Sequence, residues 1–258
     1  MKITNAIKNH NRRSRRRQEN KQKIYKNILK SDTVVLACSG PSLNKINPFS
    51  LGFPVVAIST AIRADVFKHT KPDAWALVDV PIDRKSYQGK SGQFLHTKQS
   101  LQYWEDSEVL KVMPAYRRKT VKNKSNFIFY DYDGIKDSKK RKIPQIKEVF
   151  NGKTPFVRGP GMSITFALQW CHYVGVRTII FTGCDLVAPS IETKYAYNIQ
   201  HEDKKKRFNE DQLSRVKNIL KQWYPIAQRK GFKWYNWQSG PVLGSIIPSY
   251  PHSNKRSF

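Results

Sequence analysis

The chain has 258 residues, of which 39% are hydrophobic and 12% aromatic. At about 100–200 residues per domain, this length allows one large domain or two small ones. The 31 aromatic residues exclude a fully disordered chain. No apolar run approaches the roughly 20 residues of a membrane span, and no apolar segment follows the basic amino terminus as in a signal peptide. We therefore expect a globular, cytoplasmic protein without a transmembrane segment.

Positive charge dominates the composition. Lysine and arginine outnumber aspartate and glutamate by 47 to 19, which gives a formal net charge of +28. Most of it lies in residues 1–30 (net +10), 111–147 (net +9) and 201–233 (net +6). This clustering is typical of a protein with a polyanionic partner, which is DNA, RNA or an anionic membrane surface, although some genomes encode basic proteins throughout. The candidate polyanion-binding side chains are Arg12, Arg13, Arg15, Arg16, Arg17, Lys139, Lys140, Arg141 and Lys142.

The order of predicted elements indicates an α/β fold. Residues 1–30 form a basic arm with a short helix, and residues 31–258 form one domain. Apolar runs at 34–38, 55–58, 74–78, 127–130, 178–182 and 232–236 predict strands, mostly buried on both faces of a parallel sheet. Helical periodicity covers residues 163–174 and 213–227. We interpret residues 111–147 as a basic insertion or lid, and the whole as a doubly wound, mostly parallel sheet.

The three cysteines are odd in number and stand in apolar surroundings: Cys38, Cys171 and Cys184. An odd number without metal-ligand spacing predicts buried, reduced thiols rather than a disulfide framework.

Two glycine-rich turns lead from a predicted strand into a helix. Ser39 to Leu43 (SGPSL) follows the first strand, and Gly159 to Ser163 (GPGMS) precedes an apolar helix. Glycine lets a ligand approach the backbone, and a helix N-terminus favours a phosphate oxygen. SGPSL matches neither the P-loop nor the G-x-G-x-x-G fingerprint, so a nucleotide site and an ordinary turn both remain open. Ser163 either contacts a ligand or only caps its helix.

Polar residues with possible chemical roles follow several of the strands. Asp79 and Asp185 each end an apolar run, where they either bind a ribose hydroxyl or orient a base, or else have a structural role such as capping a turn. Asp131 and Asp133 match the short D-x-D pattern that holds a divalent cation in many sugar transferases, a pattern that is also frequent by chance. His201 lies in a polar stretch, as either a general base or a solvated loop residue.

The order of the motifs along the chain is more specific for a protein family than any single motif. SGPSL (39–43) is followed by a strand ending at Ser59, by KPDAWALVD (71–79) and by the GPGMS turn. GVRTIIFTGCD (175–185), GFKWYN (231–236) and SGPVL (239–243) complete the series. Over residues 32–247, apart from the middle third, this order resembles the bacterial sialyltransferase-like glycosyltransferases and the related motility-accessory-factor-like domains.

The resemblance implies one Rossmann-like domain with a lid that transfers sugar from a nucleotide donor, usually CMP-linked, without an obligatory metal. Manganese or magnesium remains possible, and asparagine stands in the family where this chain has Ser59, so a UDP-linked donor is also open. Catalytic roles would fall to His201 and Asp185. The implied donor-binding residues, with Asp79 added from its strand end, are Gly40, Pro41, Ser42, Ser59, Asp79, Gly161, Ser163, Tyr195 and Tyr197.

The family resemblance and the clustered charge together predict a glycosyltransferase with a polyanionic acceptor. Hydroxymethylated DNA bases in a phage-infected or bacterial cell fit this prediction, and such an enzyme has to flip the acceptor base out of the stack. A cell-surface glycan or protein is the alternative acceptor. A pyrophosphokinase and a non-catalytic nucleic-acid-binding protein are the alternative classes, and the oligomeric state stays open.

Overall fold

The computed structural model describes residues 28–78, 108–115, 118, 126–131, 149–152, 162–186 and 210–251. In these residues, seven parallel strands form one sheet, and all six predicted strands are present to within two residues at their ends. The strands are β1 (Thr33–Ala37), β2 (Val55–Ile58), β3 (Ala74–Ala76), β4 (Leu110–Pro114), β5 (Phe127–Tyr130), β6 (Thr178–Thr182) and β7 (Lys233–Asn236).

The strand order defines where a ligand site is to be sought. Across the sheet the order is β5-β4-β3-β2-β1-β6-β7. The chain adds strands on one side of β1 as far as β5 and then continues on its other side, so the order reverses between β1 and β6. These two strands are neighbours, with Val35 beside Ile180 and Ala37 beside Thr182. Open α/β sheets bind ligands beyond the carboxyl ends of their strands at such a reversal.

Helices cover the sheet on both faces. The α-helices are α1 (Met162–Tyr173), α2 (Glu210–Arg229) and α3 (Pro241–Gly244). Both long helices are followed by a glycine with positive φ, Gly175 after α1 and Gly231 after α2. No helix in the described ranges is long and apolar enough to cross a bilayer. Short 3₁₀ helices follow β1 and β2, at Pro41–Lys45, Pro48–Leu51, Ser59–Arg63 and Asp65–Phe67.

Large aromatic side chains fill both faces of the sheet. Successive strand residues point to opposite faces, so a strand with an unbroken apolar run contributes to two cores. Trp170, Trp223 and Trp234 are buried where α1 and α2 pack. Trp75 and Phe67 are buried on the opposite face, under the 3₁₀ helices. The predicted doubly wound α/β sheet is therefore confirmed.

Two details differ from the sequence prediction. Helix α1 begins at Met162, so Ser163 lies in its first turn and is not the N-cap. Strand β4 is not predicted, because Lys111 and Pro114 interrupt its apolar run inside the segment interpreted as an insertion. Lys111 is nonetheless buried, with its ammonium 5.5 Å from the centroid of the Phe127 ring. Tertiary contacts thus stabilise a strand that local composition disfavours.

His172 connects α1 to β7 inside the core. Its Nδ1–H donates to the carbonyl of Val176 (2.8 Å), and its Nε2 accepts from the indole N–H of Trp234 (2.8 Å). The ring also stacks on Phe232 with centroids 3.8 Å apart. Burial lowers the pKa of His172 from 6.5 to about 3, and the charge of Arg177 adds to the lowering. The native imidazole is therefore neutral.

We predict that His172 makes the protein less stable in mild acid. The unfolded chain takes up a proton below about pH 6.5, whereas native His172 stays neutral until about pH 3. The free energy of unfolding should therefore fall as the pH drops through this window, by up to about 1.4 kcal/mol per pH unit from this residue. Urea unfolding at several pH values should show a shallower fall for His172→Gln than for wild type or for the exposed-site control His69→Gln. An NMR signal of native His172 that titrates near its ordinary pKa would contradict the prediction.

Candidate functional site

Three loops meet at the carboxyl edge of the sheet, around the reversal of strand order. They are the β1 loop (residues 38–42), the β6 loop (183–186) and the β7 loop (237–240). The N–H of Gly40 donates to the carbonyl of Gly183 at 2.7 Å, which joins the first two loops. The N–H of Cys184 donates to the hydroxyl oxygen of Ser239 at 3.2 Å, which joins the second and third. The β6 loop therefore lies between the other two and contacts both.

The carboxylate of Asp185 holds the three loops together. Its Oδ2 accepts from the N–H of Ser42 (2.9 Å), and its Oδ1 accepts from the N–H of Gly240 (2.9 Å). The residue is only 9% exposed. Hydrogen bonds to a buried carboxylate are stronger than those between neutral groups. One side chain thus fixes two loops that lie 143 and 55 residues away in sequence.

Glycine is required where the loops approach each other. A Cβ atom on Gly40 would lie 2.3 Å from Oδ2 of Asp185 and 2.6 Å from the carbonyl oxygen of Gly183. Gly183 has φ of +65°, and a Cβ there would lie 2.4 Å from the carbonyl oxygen of Cys38. All three distances are far below ordinary van der Waals contact, so no other residue fits at either position without displacing backbone.

The β1 and β7 loops share one sequence and one local geometry. Residues 39–43 read SGPSL and residues 239–243 read SGPVL, so each loop leads through Ser-Gly-Pro and one further residue to a buried leucine, Leu43 or Leu243. In each loop the glycine is the N-cap of a short helix and proline stands at its first position. Neither glycine offers a side-chain cap. Asp185 supplies the negative charge that both helix N-termini favour.

Two buried hydroxyl groups at this edge have no hydrogen-bond partner within the described residues. They are Oγ of Ser42, in the β1 loop, and Oγ1 of Thr182, at the end of β6. Buried polar groups in native proteins are almost always paired, so an unpaired one calls for a water or a ligand. Ser42 was predicted as a donor-binding residue, whereas Thr182 was missed because it appears in the sequence only as the last residue of an apolar strand.

Ser59 has an unusual backbone conformation at the end of β2, next to β1. Its φ is +48°, in the left-handed region that non-glycine residues rarely adopt. The indole N–H of Trp75 donates to its carbonyl oxygen at 2.7 Å. Strained residues of this kind cluster at functional sites when neighbouring contacts hold them in place. Ser59 therefore stays a candidate for the site.

The three cysteines are free thiols. Cys171 and Cys184 are buried as predicted, whereas Cys38 is half-buried. A hydrogen bond with Cys38 raises the pKa of Cys184 above its ordinary value, and burial and the nearby Asp185 carboxylate raise it further. Cys184 is therefore a protonated thiol and not a nucleophile at neutral pH.

The structure brings together only part of the predicted site. Gly40, Pro41, Ser42 and Asp185 share the crevice between β1 and β6. Asp131 is exposed and follows β5, four strands from β1, which is about 19 Å at the usual strand spacing. No group of three metal-ligating side chains occurs in the described part of the chain. Outside the described residues lie His201, Asp79, Asp133, Gly161, Tyr195, Tyr197, Arg12, Arg13, Arg15, Arg16, Arg17, Lys139, Lys140, Arg141 and Lys142.

No protein-family model matches the chain, and no curated protein matches it. Among solved structures it is similar to the sialyltransferase CstII, over 88% of this chain and 89% of the other. A point variant in complex with CMP is 16% identical with a TM-score of 0.48. The complex with a trisaccharide acceptor and CMP is 13% identical with a TM-score of 0.48. The Campylobacter jejuni CstII complex with the substrate analogue CMP-3FNeuAc is 16% identical with a TM-score of 0.46.

We predict that Asp185→Asn destabilises the protein by about 2–3 kcal/mol. The amide keeps one oxygen acceptor, but its NH₂ group then faces a backbone N–H, so one buried donor loses its partner. Urea unfolding measures the change, with Asp65→Asn as the matched control because Asp65 is exposed and pairs only with Lys68 on the surface. A loss no larger than that of the control would contradict the role given to Asp185.

Proposed function

We propose that the chain is a nucleotide-sugar-dependent glycosyltransferase whose donor binds in the crevice between the β1 and β6 loops. The observation that carries this proposal is the buried hydroxyl of Ser42, which has no partner among the described residues and is held at the reversal of strand order by the contact between its N–H and Asp185. Ligands of open α/β sheets bind beyond the carboxyl ends of the strands at such a reversal, which is where this hydroxyl lies. The motif resemblance supports sugar transfer and makes CMP the first nucleotide to test, with UDP as the second.

The reaction that we propose is a displacement at the anomeric carbon of the donor sugar. The bond from this carbon to the nucleotide phosphate oxygen breaks, and a bond to an acceptor hydroxyl oxygen forms. The electron pair leaves with the nucleotide, and the acceptor proton passes to a general base. Tyr195 and Tyr197 are the proposed hydrogen-bond donors to the leaving phosphate, as the resemblance implies, and donors of this kind stabilise developing negative charge.

We assign the general base to His201 and a positioning role to Asp185. A base needs a lone pair directed at the acceptor hydroxyl, and a histidine near neutral pH meets this requirement. Each oxygen of Asp185 already accepts a backbone N–H, and the side chain is buried. Its carboxylate therefore acts by fixing the loops that contact the donor.

For the acceptor we propose a polyanion, with hydroxymethylated DNA bases as the first candidate. The net charge of +28 supports this choice, because a glycosyltransfer site does not itself require so many cations. A cell-surface glycan or protein is the competing acceptor. Binding to a nucleic acid weakens steeply as salt rises, because the protein displaces counterions from each phosphate that it contacts.

The first experiment is a thermal-shift titration with CMP, UDP, GDP and ADP, each with and without manganese. A ligand at about 100 times its Kd stabilises the native state by about 2.7 kcal/mol, which is readily measured. We expect a shift with a pyrimidine nucleotide in the absence of metal. A shift that requires manganese would favour the pyrophosphokinase class and involve Asp131 and Asp133. No shift with any nucleotide would overturn the proposal in favour of a nucleic-acid-binding protein.

We predict that Ser42→Ala weakens nucleotide binding without lowering the stability of the free protein. The hydroxyl has no partner to lose within the described residues, whereas a bound nucleotide would lose one hydrogen bond, equivalent to roughly a 3–10-fold higher Kd. Isothermal titration and urea unfolding measure the two quantities, and Ser50→Ala in an exposed 3₁₀ turn is the matched control. Equal affinity in wild type and Ser42→Ala would remove this residue from the site.

We predict that His201→Ala lowers kcat by about 10²–10⁴-fold while the Kd for the nucleotide stays unchanged. The exposed His69→Ala is the control for a general effect of losing a histidine. The assay pairs the donor identified by thermal shift with hydroxymethylated DNA in one arm and an oligosaccharide in the other, at low and high salt. Transfer to the oligosaccharide alone would replace the acceptor, and full activity of His201→Ala would refute the assigned base.

A further inference from the structure

A second cavity lies at the opposite end of the sheet from the loops around Asp185. Its volume is about 410 Å³, and its walls come from the segment at 150–152, the end of α1 and the residues just before β6 and β7. Along β6, Thr178 at the amino edge and Thr182 at the carboxyl edge are about 13 Å apart at the usual rise of a strand. The cavity is therefore separate from the proposed donor site.

The walls of this cavity carry positive charge. Arg177 and Lys230 both line it, and none of the described residues that line it is acidic. His172 also lines it, but both of its ring nitrogens are hydrogen-bonded and burial keeps it neutral. A concave surface with two cations and no carboxylate attracts an anion.

Both cations are held in place before any ligand binds. The guanidinium of Arg177 lies 5.1 Å from the centroid of the Phe232 ring, and that ring is itself held by a stack against His172 and an edge contact with Phe150. Nζ of Lys230 donates to the carbonyl oxygens of Val149 and Phe150, each at 2.9 Å. An ammonium has three N–H donors, so one remains for a ligand. Preorganised charges lose less entropy when they bind.

We propose that this amino-edge cavity is a binding site for the phosphate group of a ligand other than the sugar donor. A planar guanidinium beside an ammonium suits a tetrahedral dianion, because the guanidinium offers a fork of donors and the ammonium a compact charge. The amide side chains of Asn151 and Gln169 also line the cavity. Its volume exceeds that of a phosphate and leaves room for the sugar or nucleoside that carries it. The phosphate comes either from a free small molecule or from a nucleic-acid backbone.

The test is the binding of inorganic phosphate, ribose 5-phosphate and a short single-stranded oligonucleotide at constant ionic strength, measured by isothermal titration. Arg177→Gln removes the charge of an exposed side chain that lines the cavity. Lys233→Gln is the matched control, because it removes the charge of a nearby exposed side chain that does not line the cavity. We expect Arg177→Gln to raise the Kd at least fivefold and Lys233→Gln to change it less than twofold. Arg177→Lys should fall between the two, because it keeps the charge but loses the fork of donors. A Kd that Arg177→Gln raises for the small phosphates identifies a free small molecule as the ligand. A Kd that it raises for the oligonucleotide alone identifies a nucleic-acid backbone.

Three results would overturn the proposal. The first is the absence of saturable binding of any of the three probes to wild-type protein. The second is an equal loss in Arg177→Gln and Lys233→Gln, which would mean general attraction by a basic surface. The third is competition between CMP and the phosphate probes that Ser42→Ala weakens and Arg177→Gln does not, which would place both in the donor site. Ser42→Ala separates this proposal from the proposed function, because it should leave phosphate binding at the amino edge unchanged.

Discussion

The two hydrogen bonds that Asp185 accepts are the contact on which the carboxyl edge depends. Without them, the short helices that begin at Pro41 and Pro241 would each have an uncapped N-terminus, since a glycine N-cap has no side chain to offer. A single carboxylate between them serves both, because its two oxygens point to opposite sides. The same carboxylate is one reason why position 40 requires glycine, since a Cβ atom there would lie 2.3 Å from its Oδ2.

The parallel sheet explains why one residue can reach both loops. β6 has β1 on one side and β7 on the other, so the loop that leaves β6 necessarily lies between the loops of its neighbours. In a parallel sheet all three loops leave at the same edge. The buried leucines Leu43 and Leu243 then anchor the two outer loops in different cores, one on each face. The two outer loops are therefore anchored in the cores on opposite faces of the sheet, and the hydrogen bonds of Asp185 join them at its carboxyl edge.

Most strands of the sheet could be predicted from the sequence, whereas strand β4 and the arrangement of the loops around Asp185 depend on contacts between distant residues. Apolar runs identified six of the seven strands, since strands buried on both faces need no polar alternation. Strand β4 was missed because burial of Lys111 depends on the neighbouring Phe127 strand, which no local pattern encodes. Ser-Gly-Pro stands before both Leu43 and Leu243 in the sequence, but only the structure shows that each glycine is the N-cap of a short helix. Which carboxylate caps them follows only from the order of the strands.

The position of Asp185 also determines what is left for a ligand. Because its oxygens occupy the N–H groups of Ser42 and Gly240, a ligand in the proposed donor site would meet the hydroxyl of Ser42 and not that backbone donor. An unpaired buried hydroxyl destabilises the free protein and becomes favourable once a ligand oxygen pairs with it. The difference between these two states contributes to affinity, while the rigid loops keep the entropy lost on binding small. A carboxylate that never touches the ligand would in this way set the affinity of the site.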